Sequence, residues 1–405
     1  MRILLINDHF EFNGGADAPF HLDKLIYRRA GHNVFTFSIS SRTPHFKENG
    51  DFVFIENSNR FISKMGKFTI YPQLVRDLRR IVKSIRPELI KVNLVYKYAS
   101  SIYVALADAD CPLIQVLHGP NLFCATSWGC LRKTGADCEM GIGFKCWKRG
   151  CAPITTVLPY LFMNLHLSRL IRKTVSVFLC PTRHLQKSAA SLGFTPAEVI
   201  PLCIDPAFAS AEPARFDGPP TILYVGALIE QKGVHILLDA FEMVRSQVPG
   251  ARLLFAGRGD MEGRLRKAAM ENGMGDSVLF LGFVKRSEMV ELYRRAHVLA
   301  VPSVWKEQFG LVGPEALACG LPCVGSAIGG IPEWLHDGEW GFLVPPRDAL
   351  VLAQRLVTVL RDDAVRQEFA ERGRAFALEE FSPERYEANV LRNAEKLYEA
   401  KGKAG

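Results

Sequence analysis

Val301-Pro-Ser-Val-Trp-Lys-Glu307-Gln-Phe-Gly310-Leu-Val-Gly313-Pro-Glu315-Ala-Leu-Ala-Cys-Gly320-Leu-Pro322 packs a strand end, a loop and a helix into one short stretch. The apolar run Val298–Val301 reads as a buried strand that ends at Pro302. A loop follows and holds Glu307. Pro314 suits the first position of a helix, where its missing N–H costs nothing, and Glu315 then lies in the first turn. Gly320 closes the helix as a left-handed cap. The N–H groups of that first turn, at the positive end of the helix, form a site for a diphosphate, and Gly310 and Gly313 let a ligand approach the backbone. A carboxylate does not bind phosphate, so Glu307 and Glu315 suit sugar or ribose hydroxyls. The plainer reading makes Glu315 a complement to the helix dipole and Glu307 a surface charge.

Working outward, the stretch belongs to an alternating series. Strands are expected at Thr221–Val225, Arg252–Ala256, Val278–Leu281, Val298–Val301 and Pro322–Gly325, with helices at 232–247, 261–272, 287–295 and from Gly313 to Cys319. The first half repeats the scheme: Arg2–Asp8 reads as a strand, Gly14-Gly15 as a loop, 17–30 as a helix and Val34–Ile39 as a strand. Further strand-like runs fall at Leu89–Leu94, Leu113–Leu117 and Val175–Cys180, and Leu74–Ile85 reads as a helix. Strands alternating with helices imply parallel sheets. Residues 206–220, with Pro206, Pro213, Gly218, Pro219 and Pro220, read as a linker. The fold class is α/β, with two Rossmann-like doubly wound parallel-sheet domains. The expected layout is 1–205, a linker at 206–220, a second domain at 221–380, and a C-terminal helix at 381–405 returning to the first domain. Ligands of such sheets bind beyond the carboxyl ends of the strands, so a central cleft between the domains is the expected site.

The length of 405 residues agrees with two domains. No apolar run approaches the ~20 residues of a membrane-spanning helix, and the short run at 2–7 reads as a strand rather than an export signal. The expected location is the cytoplasm, including the inner face of the membrane. Charge is uneven: residues 1–205 hold 26 Lys+Arg and 15 Asp+Glu, net +11, against 24 and 27 in the remainder, net −3, which together make the +8 of the chain. A basic half suits an anionic lipid surface or a phosphate-bearing substrate, and a solvated surface with chance bias is the alternative.

From Glu307 and Glu315 outward the chain resembles glycosyltransferase family 4. The two glutamates stand at the family's Glu-x7-Glu spacing, with Phe309-Gly310-Leu311 between them. The match continues through Gly320-Leu321-Pro322, Gly329-Gly330-Ile331-Pro332-Glu333 and Gly341-Phe342-Leu343-Val344-Pro345-Pro346. Upstream it takes in Tyr224-Val225-Gly226-Ala227-Leu228 with Lys232-Gly233, then Phe255-Ala256-Gly257-Arg258-Gly259 and Gly282-Phe283-Val284. Gly14-Gly15-Ala16 and His118-Gly119 fit in the first half. The resemblance implies a GT-B fold and a retaining, metal-independent transfer of sugar from a nucleotide-diphosphate sugar. Glu315 would accept hydrogen bonds from the ribose, and Glu307 would hold donor-sugar hydroxyls. Main-chain N–H groups of Phe309, Gly310 and Leu311 would line the sugar and diphosphate. Lys232 would neutralise the departing diphosphate, and Val284 would border the base. His118 would lie across the cleft near the transferring sugar, and Gly14 and Gly15 would bring backbone to the phosphate or acceptor. Ala227 departs from the family, which carries Arg there. Arg258, at the end of the next strand, is a substitute or a surface residue.

Other features carry two readings each. Cys124, Cys130, Cys138, Cys146 and Cys151 fall in one segment. Cys130, Cys138, Cys146 and Cys151 would make a structural zinc site, but no Cys-x2-Cys pair is present, and independent thiols or disulfides are the alternatives. Lys64, Lys67, Arg76, Arg79, Arg80, Lys83 and Arg86, interleaved with Phe61, Ile62, Phe68, Ile70 and Tyr71, suit an anionic membrane. So does the apolar stretch 157–173 with its basic end. Buried helix faces with outward charges are the alternative for both, and the one slightly favoured. Nothing reads nucleic-acid bases. The expected function is a glycosyltransferase of surface polysaccharide or glycoconjugate synthesis, with a glycan or lipid-linked acceptor and no catalytic cofactor. A sugar-nucleotide epimerase on the same fold and a non-catalytic nucleotide-sugar-binding module are the alternatives.

Overall fold

The computed structural model describes residues 1–9, 18–40, 50–55, 70–95, 98–124, 138 and 141–402. They form two compact units: Met1–Pro201 with Glu387–Gly405, and Leu202–Tyr386.

The first unit is a seven-stranded sheet. Its strands are β1 (Arg2–Asn7), β2 (Asn33–Ser40), β3 (Asp51–Ile55), β4 (Leu89–Val92), β5 (Leu113–Val116), β6 (Val177–Cys180) and β7 (Ala197–Val199), in the order β3-β2-β1-β4-β5-β6-β7. Every pairing is parallel. After its first residue β1 is buried along its whole length, as a central parallel strand covered on both faces requires. Lys91 on β4 is buried as well, and it survives there because its Nζ lies 2.5 Å from Asp23 Oδ2, also buried. The helix Pro72–Ile85 turns Leu74, Val75, Leu78 and Ile85 into the core, so its basic residues are the outer face of an ordinary amphipathic helix. In the helix Ile154–Thr174, Val157, Leu167 and Ile171 are buried. Lys64, Lys67, Phe61, Ile62 and Phe68 lie outside the described residues. Among the described residues no helix is long and apolar enough to cross a membrane.

The second unit holds β8 (Thr221–Val225), β9 (Arg252–Ala256), β10 (Val278–Gly282), β11 (Val298–Val301), β12 (Cys323–Ser326) and β13 (Gly341–Val344), in the order β10-β9-β8-β11-β12-β13. These pairings are also all parallel. Both sheets therefore reverse their winding once, between β1 and β4 and between β8 and β11. The edge strands β3, β7 and β13 escaped the sequence reading, since each is only three to five residues long. The stretch read as a linker carries a helix, Pro206–Ala209, started by Asp205, whose side chain accepts from the Ala207 N–H. Phe208 buries itself in the core of the second unit, so this part of the chain is packed rather than open. The helix Pro383–Gly402 leaves the second unit at Tyr386. Within the first unit its Lys396 and Asn393 hold Glu198 at 2.7 and 3.0 Å.

The helix carrying Glu315 runs Val312–Ala318, two residues earlier than its proline suggested. A tight turn, with the Gly313 N–H donating to the Gly310 carbonyl at 2.9 Å, starts the helical path before Pro314. Gly320 caps the far end at φ +71, as expected. Gly313 makes room for protein rather than for ligand. A methyl group there would stand 2.1–2.4 Å from ring atoms of Trp334, which is fully buried and whose indole N–H donates to the Phe309 carbonyl at 2.6 Å. Gly313→Ala should therefore cost about 1–3 kcal/mol through overpacking. It would be read as a lower urea midpoint with an unchanged slope; an unchanged midpoint would contradict this packing.

Candidate functional site

In the second unit the site is built at the point where the strand order reverses, the usual ligand position of open α/β sheets. The chain leaving β8 forms a short 3-10 turn, Glu230–Lys232, and enters the helix Val234–Gln247 through Gly233. Gly233 has φ +68, and a Cβ there would stand 1.9 Å from the Pro302 carbonyl oxygen. Only glycine lets the two strand-end loops meet so closely. Backbone bonding confirms the contact, with the Val304 N–H donating to the Gln231 carbonyl at 3.0 Å.

That approach sets Lys232 against Glu307. Glu307 Oε1 accepts from Lys232 Nζ at 2.6 Å, from Ser303 Oγ at 2.6 Å and from Trp305 Nε1 at 3.0 Å. All three donors fall on one carboxylate oxygen. The Lys232 ammonium also lies 5.3 Å from the centre of the Trp305 ring, within cation–π range. Glu307 is 5 % exposed. Burial pushes its carboxyl up, but the Lys232 charge and the hydrogen bonds from Lys232, Ser303 and Trp305 outweigh it and hold the group below its ordinary range. Glu307 is thus a charged, oriented acceptor. Its carbonyl in turn accepts from the Gly330 N–H at 2.7 Å.

Glu315 is held differently. Its Oε1 accepts from Arg286 at 2.9 Å and its Oε2 from the Tyr293 hydroxyl at 3.4 Å. Arg286 also binds Asp205 Oδ2 at 2.9 Å and lies 5.1 Å from the centre of the Phe208 ring. Burial dominates at Glu315 and pushes its carboxyl up to about 7, with Arg286 opposing the shift. Two glutamates eight positions apart therefore carry opposite electrostatic characters.

The remaining expected residues are placed as follows. Phe309 is buried edge-on against Phe381, and Gly310 turns the chain at φ +83 into Leu311, which precedes the Glu315 helix. Val284 packs on the core that includes Phe309 and Trp334. Arg258 is exposed, and its guanidinium lies beside Gly282 at the end of the edge strand β10, on the side of β9 away from β8. Ala227 is exposed, and its carbonyl accepts from the Tyr224 hydroxyl at 2.7 Å. Gly14, Gly15 and Cys130 lie outside the described residues. Cys146 and Cys151 are buried together with Ala152 and Val157, while Cys138 is half-buried. Among the described residues no group of three or more His, Cys, Asp or Glu has metal-holding geometry.

In the first unit His118 follows β5, and its Nε2 stands 2.8 Å from Asn93 Oδ1 at the end of β4. Asn93 Nδ2 donates to Asn7 Oδ1 at 3.0 Å, at the end of β1, and the Leu94 N–H donates to the same oxygen at 3.2 Å. Because a main-chain N–H can only donate, it fixes the Asn7 oxygen as acceptor. Asn93 must then present its own oxygen to His118, which makes Nε2 a donor. Sequence reasoning found His118 but missed Asn7 and Asn93, although each is a polar residue closing a buried apolar run. It also missed Ser303, Trp305, Tyr293 and Arg286. The signal for the first two was their place four and two residues before Glu307 in the same loop.

Two family models match the chain: "Glycosyltransferase Family 4" over residues 27–208 and "Glycosyl transferases group 1" over 207–376. The chain belongs to glycosyltransferase family 4. Curated relatives include the phosphatidyl-myo-inositol mannosyltransferase of Mycobacterium leprae, 38% identical over 38% of this chain and 40% of that protein. The glycogen synthase of Mycobacterium tuberculosis is 35% identical over 51% of this chain and 50% of that protein. The chain thus spans about half the length, or less, of these relatives. Among solved structures, sucrose-phosphate synthase from Thermosynechococcus elongatus superimposes with TM-score 0.74 at 20% identity over 98% of this chain and 99% of that one. Anabaena HepE in complex with UDP gives 0.71 at 20% identity over 98% and 100%. These likenesses establish the GT-B fold for this glycosyltransferase, with its two Rossmann-like units.

Glu315 yields a pH prediction with a definite sign. Its folded-state pKa lies above the ordinary carboxylate value, so between about pH 4.5 and 7 the folded chain binds more protons than the unfolded one, and stability falls as pH rises through that window. Relative to Glu315→Gln, the natural protein should lose on the order of 3 kcal/mol between pH 5 and pH 8, measured by urea unfolding at each pH. Parallel stability curves for the two proteins would contradict the assignment.

Proposed function

We propose that this glycosyltransferase moves a hexose from a nucleoside-diphosphate sugar to a glycan or lipid-linked acceptor, with retention at the anomeric carbon. The observation that carries the reading is the Lys232–Glu307 pair at the switch point of the second sheet. It presents a buried charged carboxylate, a cation and the main chain of Phe309–Leu311 within one loop system. Support for the donor class comes from HepE, solved with UDP and with UDP-glucose. Support for the acceptor class comes from relatives named for glycan and phosphatidylinositol glycosylation.

In this reading Glu307 orients donor-sugar hydroxyls through Oε2, the oxygen that no described donor reaches. Cleaving a glycosyl phosphate leaves an oxocarbenium-like carbon and an extra negative charge on the diphosphate. Preorganised donors and a cation stabilise that charge: Lys232, released in part from Glu307, and the N–H groups of the Gly310 turn. The leaving phosphate oxygen accepts the acceptor's proton on the same face, so no protein nucleophile at the ~5 Å carboxylate spacing of retaining hydrolases is required. Glu315 holds the ribose and Val284 borders the base. His118, with its Nε2 donating to Asn93, is the first unit's candidate for contact with a substrate. Arg258, whose guanidinium lies beside Gly282, is given no role in this reading.

A screen of nucleoside diphosphates by thermal shift, followed by transfer assays with the matching sugars, tests this reading. Glu307→Ala should lower transfer by at least about 10²-fold, the scale of losing one preorganised polar contact to the transition state. The shift with the free nucleoside diphosphate should persist. Full transfer by the variant would overturn the assignment, and conversion of the nucleotide sugar without any acceptor would favour an epimerase.

A further inference from the structure

Arg286 opens the helix Arg286–Arg295, two residues after Val284. It is about half exposed, yet three groups hold it. Its Nε donates to Asp205 Oδ2 at 2.9 Å, its Nη2 donates to Glu315 Oε1 at 2.9 Å, and the guanidinium lies 5.1 Å from the centre of the Phe208 ring. An exposed arginine with one ion pair contributes little. Here a planar fork of fixed donors spans two carboxylates over an aromatic ring, which leaves it little freedom. The two carboxylates differ. Asp205 is partly exposed and starts the helix Pro206–Ala209, while Glu315 is buried. The bridge thus has a solvated anchor and a buried working end.

Few other groups face Glu315. Two turns along the helix of Arg286, the Tyr293 hydroxyl donates to Oε2 at a long 3.4 Å. Asp205 works against ionisation of Glu315. Cys319, one turn further along the Glu315 helix, and Cys323 on β12 are buried thiols that burial keeps neutral. Among the described residues Arg286 is the cation that pairs with Glu315. This matters for a sugar hydroxyl, which brings a proton and needs an acceptor. An ionised carboxylate offers both oxygens, whereas a protonated one turns an oxygen into a donor. We propose that Arg286 is a positioning residue for the ribose of the donor: by bridging Asp205 and Glu315 it presents the Glu315 carboxylate as the acceptor of ribose hydroxyls. The proposal rests on the reading that Glu315 holds the ribose, and it adds a residue that acts on the nucleotide only through Glu315.

Calorimetric titration of the full chain with ADP, CDP, GDP and UDP, each beside its 2′,3′-dideoxy form, tests it. The ratio of the two Kd values isolates the ribose hydroxyls, because the base and the diphosphate are common to both forms. At pH 8 the natural protein should bind its preferred nucleotide about tenfold or more tighter than the dideoxy form, the scale of hydrogen bonds to a charged acceptor. Arg286→Met should cut that ratio by about fivefold, the difference between a charged and a neutral acceptor, and leave the dideoxy Kd nearly unchanged. Arg286→Lys, which keeps a cation near Glu315, should return most of the ratio. The pH profile has a definite sign. Burial pushes the Glu315 carboxyl up to about 7 with Arg286 opposing the shift, so removing the guanidinium raises it further. The ratio grows as Glu315 ionises, and in Arg286→Met that growth should begin at higher pH than in the natural protein. An arginine that served only to staple the fold would weaken both forms alike. An unchanged ratio with an unmoved pH profile in Arg286→Met would therefore overturn this proposal and leave the ribose reading of Glu315 standing. Equal binding of the ribose and dideoxy forms by the natural protein, or no binding of any of the four nucleotides, would overturn that reading and this proposal with it.

Discussion

The close passage of Gly233 beneath the Pro302 carbonyl is the constraint on which the second unit's candidate site depends. It forces the loops leaving β8 and β11 together, and the consequence is an ammonium 2.6 Å from a buried carboxylate. The buried Glu307 charge would be costly there alone. An uncompensated buried ion costs several kcal/mol, and the pair is acceptable because Ser303 and Trp305 complete the hydrogen bonding of Glu307. Gly330 fixes its carbonyl, Trp334 braces the next turn, and Gly313 gives Trp334 its room. A single loop is thereby held from three sides before any ligand arrives, which is the preorganisation that electrostatic catalysis requires.

The two sheets solve the same topological problem with different chemistry. Each reverses its winding once, and each gathers polar groups at that point. In the second unit these groups are ionic. In the first they form a neutral chain, Asn7 to Asn93 to His118, anchored by the Leu94 N–H. Uncharged amides can be buried at strand ends at modest cost when every donor finds an acceptor, and they transmit direction. The main chain dictates the orientation of two side-chain amides and, through them, the tautomer of a histidine.

The opposite behaviour of Glu307 and Glu315 follows from their neighbours. Glu307 has a lysine and two neutral donors on one oxygen, while Glu315 shares its guanidinium with Asp205, and that arginine is about half exposed. Similar burial thus leaves one carboxyl low and the other near neutrality. Ala227 fits the same picture. Where relatives of the family carry a cation, this chain has a small exposed residue whose carbonyl is tied to Tyr224, and Arg258 is directed elsewhere. Lys232 is the cation that the Glu307 loop binds at that switch point.

Much of this was legible in the order of residues. Alternating apolar runs and periodic helices determine two parallel sheets, because side-chain period and strand burial are local properties of the chain. The Glu307-to-Glu315 spacing, Lys232-Gly233 and His118-Gly119 likewise pick out the family and the residues proposed for its donor site. What the sequence could not supply was distance between residues far apart in the chain. That Lys232 pairs with Glu307 across seventy-five positions, that Arg286 joins Asp205 to Glu315, and that Asn7 and Asn93 aim His118 all depend on which strands become neighbours. The same holds for Gly313, whose purpose is the ring of Trp334, and for Arg258, sent to the sheet edge. Residue types set which contacts are chemically allowed. Only the closing of the sheet decides which are made, because strand order, not sequence proximity, determines which loop ends meet.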